Sequence, residues 1–197
     1  MSNNIYITNH RNKEVDISPN EFYSTHPKSV QTFLDYFTLP KGAIIWECAC
    51  GKGNISKVLI ENGYDVISTD IIDRGYITPE YTEKDFFDIE LIPQNVKTIM
   101  TNPPYSLAEK FVRHAMKILP KHGWLVLYLK LTFLEGKKRY KLFEEFPPEW
   151  VMIHSSRQAC DKYGAEDFPN TGAVAYAWYI WPKGYKGPTK IRWLPPN

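Results

Sequence analysis

Ala43-Ile44-Ile45-Trp46-Glu47-Cys48-Ala49-Cys50-Gly51-Lys52-Gly53 is the stretch from which the rest of the chain can be read. Residues 43–49 are apolar at consecutive positions apart from Glu47, so both faces of the strand they form must be covered, as in the centre of a parallel sheet. Gly51-Lys52-Gly53 then turns the chain. Asn54 is expected to cap a helix that directs Ile55, Val58 and Leu59 inward and closes at Gly63, before a second strand over 65–70 that ends in Asp70. Upstream, Val30, Phe33, Leu34 and Phe37 share one face of a helix over 26–39 that Pro40 and Gly42 stop.

The same alternation continues downstream. A short extended piece ends near Asp85, and Thr98-Ile99-Met100-Thr101 forms a strand that runs into Asn102-Pro103-Pro104-Tyr105. Ser106 should cap the next helix, with Leu107, Phe111, Ala115 and Ile118 on one face and Pro120 at its end. Residues 123–129 read as a buried strand, and 136–146 as a charged, more exposed helix. The last quarter has two strands, over 150–154 and 173–181, joined by a polar loop, which predicts antiparallel pairing. This order predicts a three-layer α/β/α sandwich: a doubly wound, mainly parallel sheet of seven strands with a carboxy-terminal antiparallel hairpin.

With 197 residues, 43% hydrophobic and 23% charged, one folded domain is expected, with a polar arm over 1–21 and the domain over 22–197. No apolar run reaches the ~18–20 residues of a membrane span, and the start Met1-Ser2-Asn3-Asn4 has no signal-peptide pattern, so a cytoplasmic protein is expected. Cys48, Cys50 and Cys160 match no common zinc spacing and are expected to be inert thiols, Cys48 and Cys50 within the buried strand run. The net charge of +2 does not announce a nucleic-acid binder. The distribution is more suggestive: Lys137, Lys138, Arg139 and Lys141 cluster, and residues 168–197 hold four basic side chains and no acid.

Open parallel sheets bind ligands beyond the carboxyl ends of their strands. Gly51 and Gly53 would let the backbone pass close beneath a ligand. Position 56 is Ser56 rather than a third glycine, which disfavours a pyrophosphate cradle, and the turn is not a P-loop. Asp70 stands where a carboxylate can accept from both hydroxyls of a ribose, and Asp85 with Phe86 would suit the amine and face of an adenine. Asn102-Pro103-Pro104-Tyr105 carries the chemistry. The lone pair of an amine on an aromatic ring is delocalised into the ring and must be localised before it can attack. The Asn102 side-chain oxygen and the Pro103 carbonyl can hold the two amine hydrogens, a preorganised electrostatic contribution of about 3–4 kcal/mol per group. Prolines 103 and 104 stiffen the corner, and Tyr105 offers a ring for stacking.

This ordered set resembles the class I S-adenosylmethionine-dependent methyltransferases that modify amino groups, in particular adenine-N6 DNA methyltransferases, and is most similar to small phage or prophage-encoded members. The resemblance runs from about Phe22 to Leu194. It implies a Rossmann-like fold and S-adenosylmethionine as cofactor. It further implies that Phe22-Tyr23-Ser24-Thr25-His26-Pro27 folds over the methionine carboxylate, with Thr25 as the contact. Glu47, Ala49, Gly51 and Gly53 would form the methionine-binding turn, Asp70 and Ile71 would meet the ribose, and Asp85 and Phe86 would line the adenine pocket. Asn102 would border cofactor and target, and Asn102, Pro103, Pro104 and Tyr105 would form the catalytic motif. Thr25-His26-Pro27 replaces the usual Thr-Pro-Pro-like segment, and Cys48 and Cys50 stand where small residues are commoner.

Such a reaction needs no metal and no covalent intermediate; proximity to an electrophilic sulfonium carbon supplies much of the acceleration. No general base is assigned, and His114 and His122 read as surface residues. DNA as partner requires a flipped or single-stranded adenine, with Tyr105, Phe133, Lys137, Lys138, Arg139, Arg157, Gln158, Lys162 and Tyr163 as candidate strand contacts. No segment is left over for a target-recognition domain, so sequence specificity should be short or relaxed, or supplied by a partner or second copy. The aromatics Trp178, Tyr179, Trp181 and Trp193 fit packing better than such an interface. Alternatives are an RNA adenine-N6 enzyme, a protein glutamine enzyme, or an inactive binding module on the same fold. Nothing points to a membrane.

Overall fold

The computed structural model describes residues 22–76, 81–156, 160–162 and 174–196. Ten strands and four α-helices follow in the order β1 (Tyr23–Thr25), α1 (Pro27–Tyr36), β2 (Ile44–Glu47), α2 (Asn54–Glu61), β3 (Val66–Asp70), β4 (Tyr81–Glu83), β5 (Val96–Thr101), α3 (Ala108–Ile118), β6 (Trp124–Lys130), α4 (Tyr140–Glu145), β7 (Trp150–His154), β8 (Cys160–Lys162), β9 (Tyr176–Pro182) and β10 (Lys190–Leu194). Eight strands form the main sheet in the order β4-β3-β2-β5-β6-β9-β7-β10. β2 pairs parallel with β3 and β5, and β6 parallel with β5. β9 runs antiparallel to both β6 and β7, so the expected terminal hairpin is present. To the seven expected strands the structure adds β10, parallel to β7 on the outer edge, and a separate two-stranded pair, β1 with β8.

The three layers follow from strand alternation. On one face of the sheet Trp46, Ile99, Leu125, Leu127, Val151, Tyr179 and Trp181 pack with Phe111, Val112 and Ala115 of α3 and Leu142 of α4. On the other, Ile45, Met100, Val126, Tyr128, Met152 and Trp178 pack with Val30 and Phe33 of α1 and Ile55, Val58 and Leu59 of α2. Each fully buried large aliphatic or aromatic side chain contributes about 1.5–3 kcal/mol, and two such cores explain why adjacent strand residues are all apolar. Trp178, Tyr179 and Trp181 are core residues, whereas Trp193 on β10 is exposed.

Two expected helix caps differ. Gly53, not Asn54, occupies the cap position of α2, in the left-handed conformation at φ 74°. Asn54 is the first helical residue and turns its amide to the amino-terminal segment instead. Ser106 lies in a 3-10 turn over Tyr105–Leu107, and Leu107 takes the cap position of α3. The helix expected over 136–146 is a 3-10 turn over Lys137–Arg139 followed by α4. No helix among the described residues is long and apolar enough to cross a membrane.

Candidate functional site

Strand order reverses between β2 and β5: β3 and β4 lie to one side, β6 to the other. The loops leaving the carboxyl ends of these neighbouring strands diverge there and open a crevice. A cleft of about 340 Å³ occupies this position, lined among others by Ala49, Asp70, Ile71, Asp85, Phe86 and Asn102. That volume lies at the lower end of the range for small-molecule sites. A narrower recess adjoins it, bordered by Thr25, Glu47, Ala49, Asn54 and Asn102. The structure therefore brings together, around two adjoining hollows, residues distant in the chain, Thr25 and Asn102 among them at 77 positions apart.

Asp70 ends β3 with its carboxylate turned back over the first turn. Oδ2 accepts from the Gly51 N–H at 2.8 Å and Oδ1 from the Ile72 N–H at 3.1 Å. Each oxygen keeps lone-pair capacity for a further donor. Asp85 caps a 3-10 turn over Phe86–Asp88 by accepting from the Phe87 N–H at 2.9 Å. Phe86 is buried, stacked on Phe111 with centroids 4.7 Å apart and edge-on to Trp46. The two glycines of the turn serve close approach, and the close neighbours are rings of the chain itself. A Cβ on Gly51 would stand 2.1 Å from Phe22 Cε2, and one on Gly53 2.4 Å from the Tyr76 ring. The Arg74 guanidinium lies over the Phe22 ring, 4.5 Å from its centroid, at the cleft wall.

Glu47 is 1% exposed. Its Oε2 accepts from the Ser56 N–H at 2.8 Å and from the Ser56 hydroxyl, which also meets the Ser68 hydroxyl at 2.7 Å. Burial outweighs these hydrogen bonds and raises its pKa from an ordinary 4.5 to about 8, with the Asp70 charge adding to the rise. Ser56, at the position of the absent third glycine, anchors the acid that ends β2. Cys48 and Cys50 are free and buried, and burial pushes both thiols upward, away from reactivity.

Asn102 leaves β5 with its side-chain amide held by the amino-terminal segment. Nδ2 donates to the Tyr23 carbonyl and to Thr25 Oγ1, each at 2.9 Å. Oδ1 is buried and has no hydrogen-bond partner among the described residues. Since the Tyr23 carbonyl can only accept, that contact sets the orientation of the amide. β1 is tied down from a second side, because Asn54 Nδ2 donates to Ser24 Oγ at 2.7 Å and to the Thr25 carbonyl at 3.0 Å. Pro103 is buried, and the Pro104 carbonyl accepts from the Leu107 N–H at 2.9 Å, so the diproline corner is fixed at both ends. The Tyr105 ring is flanked by Tyr23 at 4.7 Å, Tyr176 at 6.0 Å and the Lys130 ammonium at 4.4 Å.

The expected strand contacts separate. Phe133 does not face a groove: it is buried against Phe143 and Tyr179, because the turn after β6 folds its apolar side onto the sheet. Arg139 is committed locally, donating to the carbonyls of Thr132 and Glu135, the former at 3.1 Å, and lying over the Phe133 ring. Lys137 and Lys138 are exposed. Arg157, Gln158 and Tyr163 lie outside the described residues. For Lys162 only the backbone is described; it pairs with Tyr23, which brings the β7–β9 connection beside the segment that holds Asn102. His114, expected at the surface, is half-buried, with Nε2 3.0 Å from the Ile89 carbonyl and its ring edge-on to Phe86. His122 is exposed. Sequence reading missed Lys130, Tyr176 and Arg74; a charged residue ending the apolar run of β6 was the available signal for Lys130.

This architecture is the fold of class I S-adenosylmethionine-dependent methyltransferases. A Listeria monocytogenes protein described as such an enzyme superposes with a TM-score of 0.55 at 12% identity over 86% of this chain and 63% of its own. A Vibrio vulnificus protein described as the modification subunit of a type I restriction enzyme gives 0.59 at 12% identity over 89% of this chain and 48% of its own. A Pyrococcus horikoshii protein described as an RNA methyltransferase gives 0.60 at 13% identity over 83% and 87%. The chain thus spans less than two thirds of the length of the first two. In sequence, neither a protein-family model nor a curated protein matches it.

Proposed function

We propose that the chain is an S-adenosylmethionine-dependent methyltransferase that modifies the exocyclic amine of adenine in DNA, with short or relaxed sequence preference. One observation carries this reading: Asn102, at the end of β5 and among the residues lining the cleft, has a buried side-chain oxygen without a partner among the described residues. A buried carbonyl oxygen left unsatisfied costs about 1–3 kcal/mol, a cost that a substrate amine would relieve by donating to it.

The residues present fit the cofactor. Asp70 has lone pairs for ribose hydroxyls, Phe86 and Ile71 supply apolar surface for a base, and the recess beside Glu47 and Thr25 is polar enough for an amino-acid moiety. When bound, the cofactor supplies a methyl group on a positively charged sulfur. The chain's own part is to orient and to polarise. Asn102 Oδ1 and the Pro103 carbonyl accept the two amine hydrogens, which draws the nitrogen towards tetrahedral geometry and stabilises the positive charge that grows on it. The rigid Pro103-Pro104 corner keeps both oxygens in place beforehand, so little reorganisation is needed. The surplus proton then leaves to water, and no side chain is assigned as a base.

Support for nucleic acid comes from Lys130 beside Tyr105 and from exposed Lys137 and Lys138 in the segment that follows the same strand. The test is incubation with methyl-labelled cofactor and, separately, duplex DNA, single-stranded DNA, RNA and bacterial protein, followed by mass spectrometry of the modified unit. N6-methyladenine from DNA is expected. Label found only in RNA or in glutamine would replace the substrate while leaving the chemistry, and cofactor binding without transfer to any of them would contradict the enzymatic reading.

A further inference from the structure

The geometry assigns Thr25 a role that precedes any ligand: it is a positioning residue that, together with the Tyr23 carbonyl, holds the Asn102 amide with its oxygen left for the substrate amine. The inference rests on the reading of Asn102 as the amine acceptor. The resemblance placed the Thr25 hydroxyl on the methionine carboxylate. In the structure that hydroxyl receives a hydrogen bond from Asn102 Nδ2 at 2.9 Å, and Thr25 is 3% exposed.

A side-chain amide has two ends of nearly equal size and opposite character. Turned over, Asn102 would present a donor to an amine that is itself a donor, and the site would repel the nucleophile it has to hold. The Tyr23 carbonyl, which can only accept, prevents this. It binds one amide hydrogen and the Thr25 hydroxyl takes the other, so Nδ2 is saturated while Oδ1 has no partner among the described residues. The hydroxyl is available for this because the backbone around it is held separately, by Asn54 on the Thr25 carbonyl and by the pairing of Thr25 with Cys160.

Thr25→Val keeps the shape and the strand preference and removes only the acceptor. Single-turnover transfer is expected to fall about tenfold, the worth of one hydrogen bond, while Thr25→Ser recovers most of it. Cofactor affinity, measured separately by calorimetric titration, should fall by less than transfer does, since the bond removed is the one to Asn102. Weakened cofactor binding with undiminished transfer at saturation would overturn the assignment in favour of a carboxylate contact, as would a valine variant indistinguishable from wild type.

A readout independent of activity is the pair of Asn102 side-chain amide protons in an ¹H–¹⁵N spectrum, assigned by their loss in Asn102→Asp. Two slowly exchanging protons are expected in the wild-type protein, one of which exchanges fast in Thr25→Val. Fast exchange of both in the wild type overturns the assignment even if the valine variant does not fold. Should the wild type transfer no methyl group at all, the enzymatic reading fails while the amide spectrum still decides the role of Thr25.

Discussion

Replacing Glu47 by glutamine should stabilise the protein by an amount that grows with pH. In the folded state this carboxyl is 1% exposed and its pKa is raised to about 8, against an ordinary 4.5. Between those values the folded chain holds a proton that the unfolded chain has released, so the folded state binds more protons and Glu47 makes stability fall as pH rises. The slope is about 1.4 kcal/mol per pH unit, which from pH 5.5 to 7.5 amounts to about 3 kcal/mol. The glutamine oxygen in the place of Oε2 can still accept from both the Ser56 N–H and the Ser56 hydroxyl, so these hydrogen bonds survive without the charge. Urea unfolding of both proteins at intervals over this range isolates the effect, because all other titrating groups are common to the two. The gap in favour of Glu47→Gln should be small at pH 5.5 and widen steadily to pH 7.5. A gap that stays constant, or narrows, would show that the carboxyl ionises as freely in the fold as out of it, and the account of how Ser56 and burial balance at this site would be wrong.

Asn102→Ala should lower single-turnover methyl transfer about 10²–10³-fold with cofactor affinity nearly kept, as expected when one preorganised acceptor is removed; comparable rates would refute its catalytic role. Asp70→Ala leaves the Gly51 and Ile72 N–H groups without their acceptor, so both a thermal melt and a cofactor titration should show loss, with about 1–3 kcal/mol lost in stability for each N–H left buried and unsatisfied. Gly51→Ala brings a Cβ to 2.1 Å from Phe22 and strains a φ of +55°, so cofactor titration should report weakened binding through displacement of Phe22, and unchanged affinity would argue that Phe22 is not part of the wall.

The central sheet was legible because its strands are covered on both sides, and covering on both sides writes itself as uninterrupted apolar runs such as those of β2, β6 and β9. β7 and β9 could be paired from the lack of a helix between them. β10 escaped for the opposite reason: Ile191 and Trp193 are apolar yet exposed, and only Leu194 of that strand is buried, so its pattern does not point to a core. The site divided along the same line. Asp70, Asp85 and Asn102 stand at strand ends, where position alone suggests a role. The bond from Asn102 to Thr25 joins residues 77 apart through a three-residue strand, a contact that local pattern does not encode. Phe133 and Arg139 were expected at a nucleic acid because aromatic and basic residues after a strand suit such a contact, and folding used them first for the core and for a turn.

The most direct measurement is a crystal structure of the protein with a non-reactive cofactor analogue and an adenine nucleoside. The account predicts the adenine amine within hydrogen-bond reach of both Asn102 Oδ1 and the Pro103 carbonyl, with the amide nitrogen of Asn102 still bound to Tyr23 and Thr25. An adenine whose amine lies away from those two oxygens, or an Asn102 whose nitrogen faces it, would contradict the account.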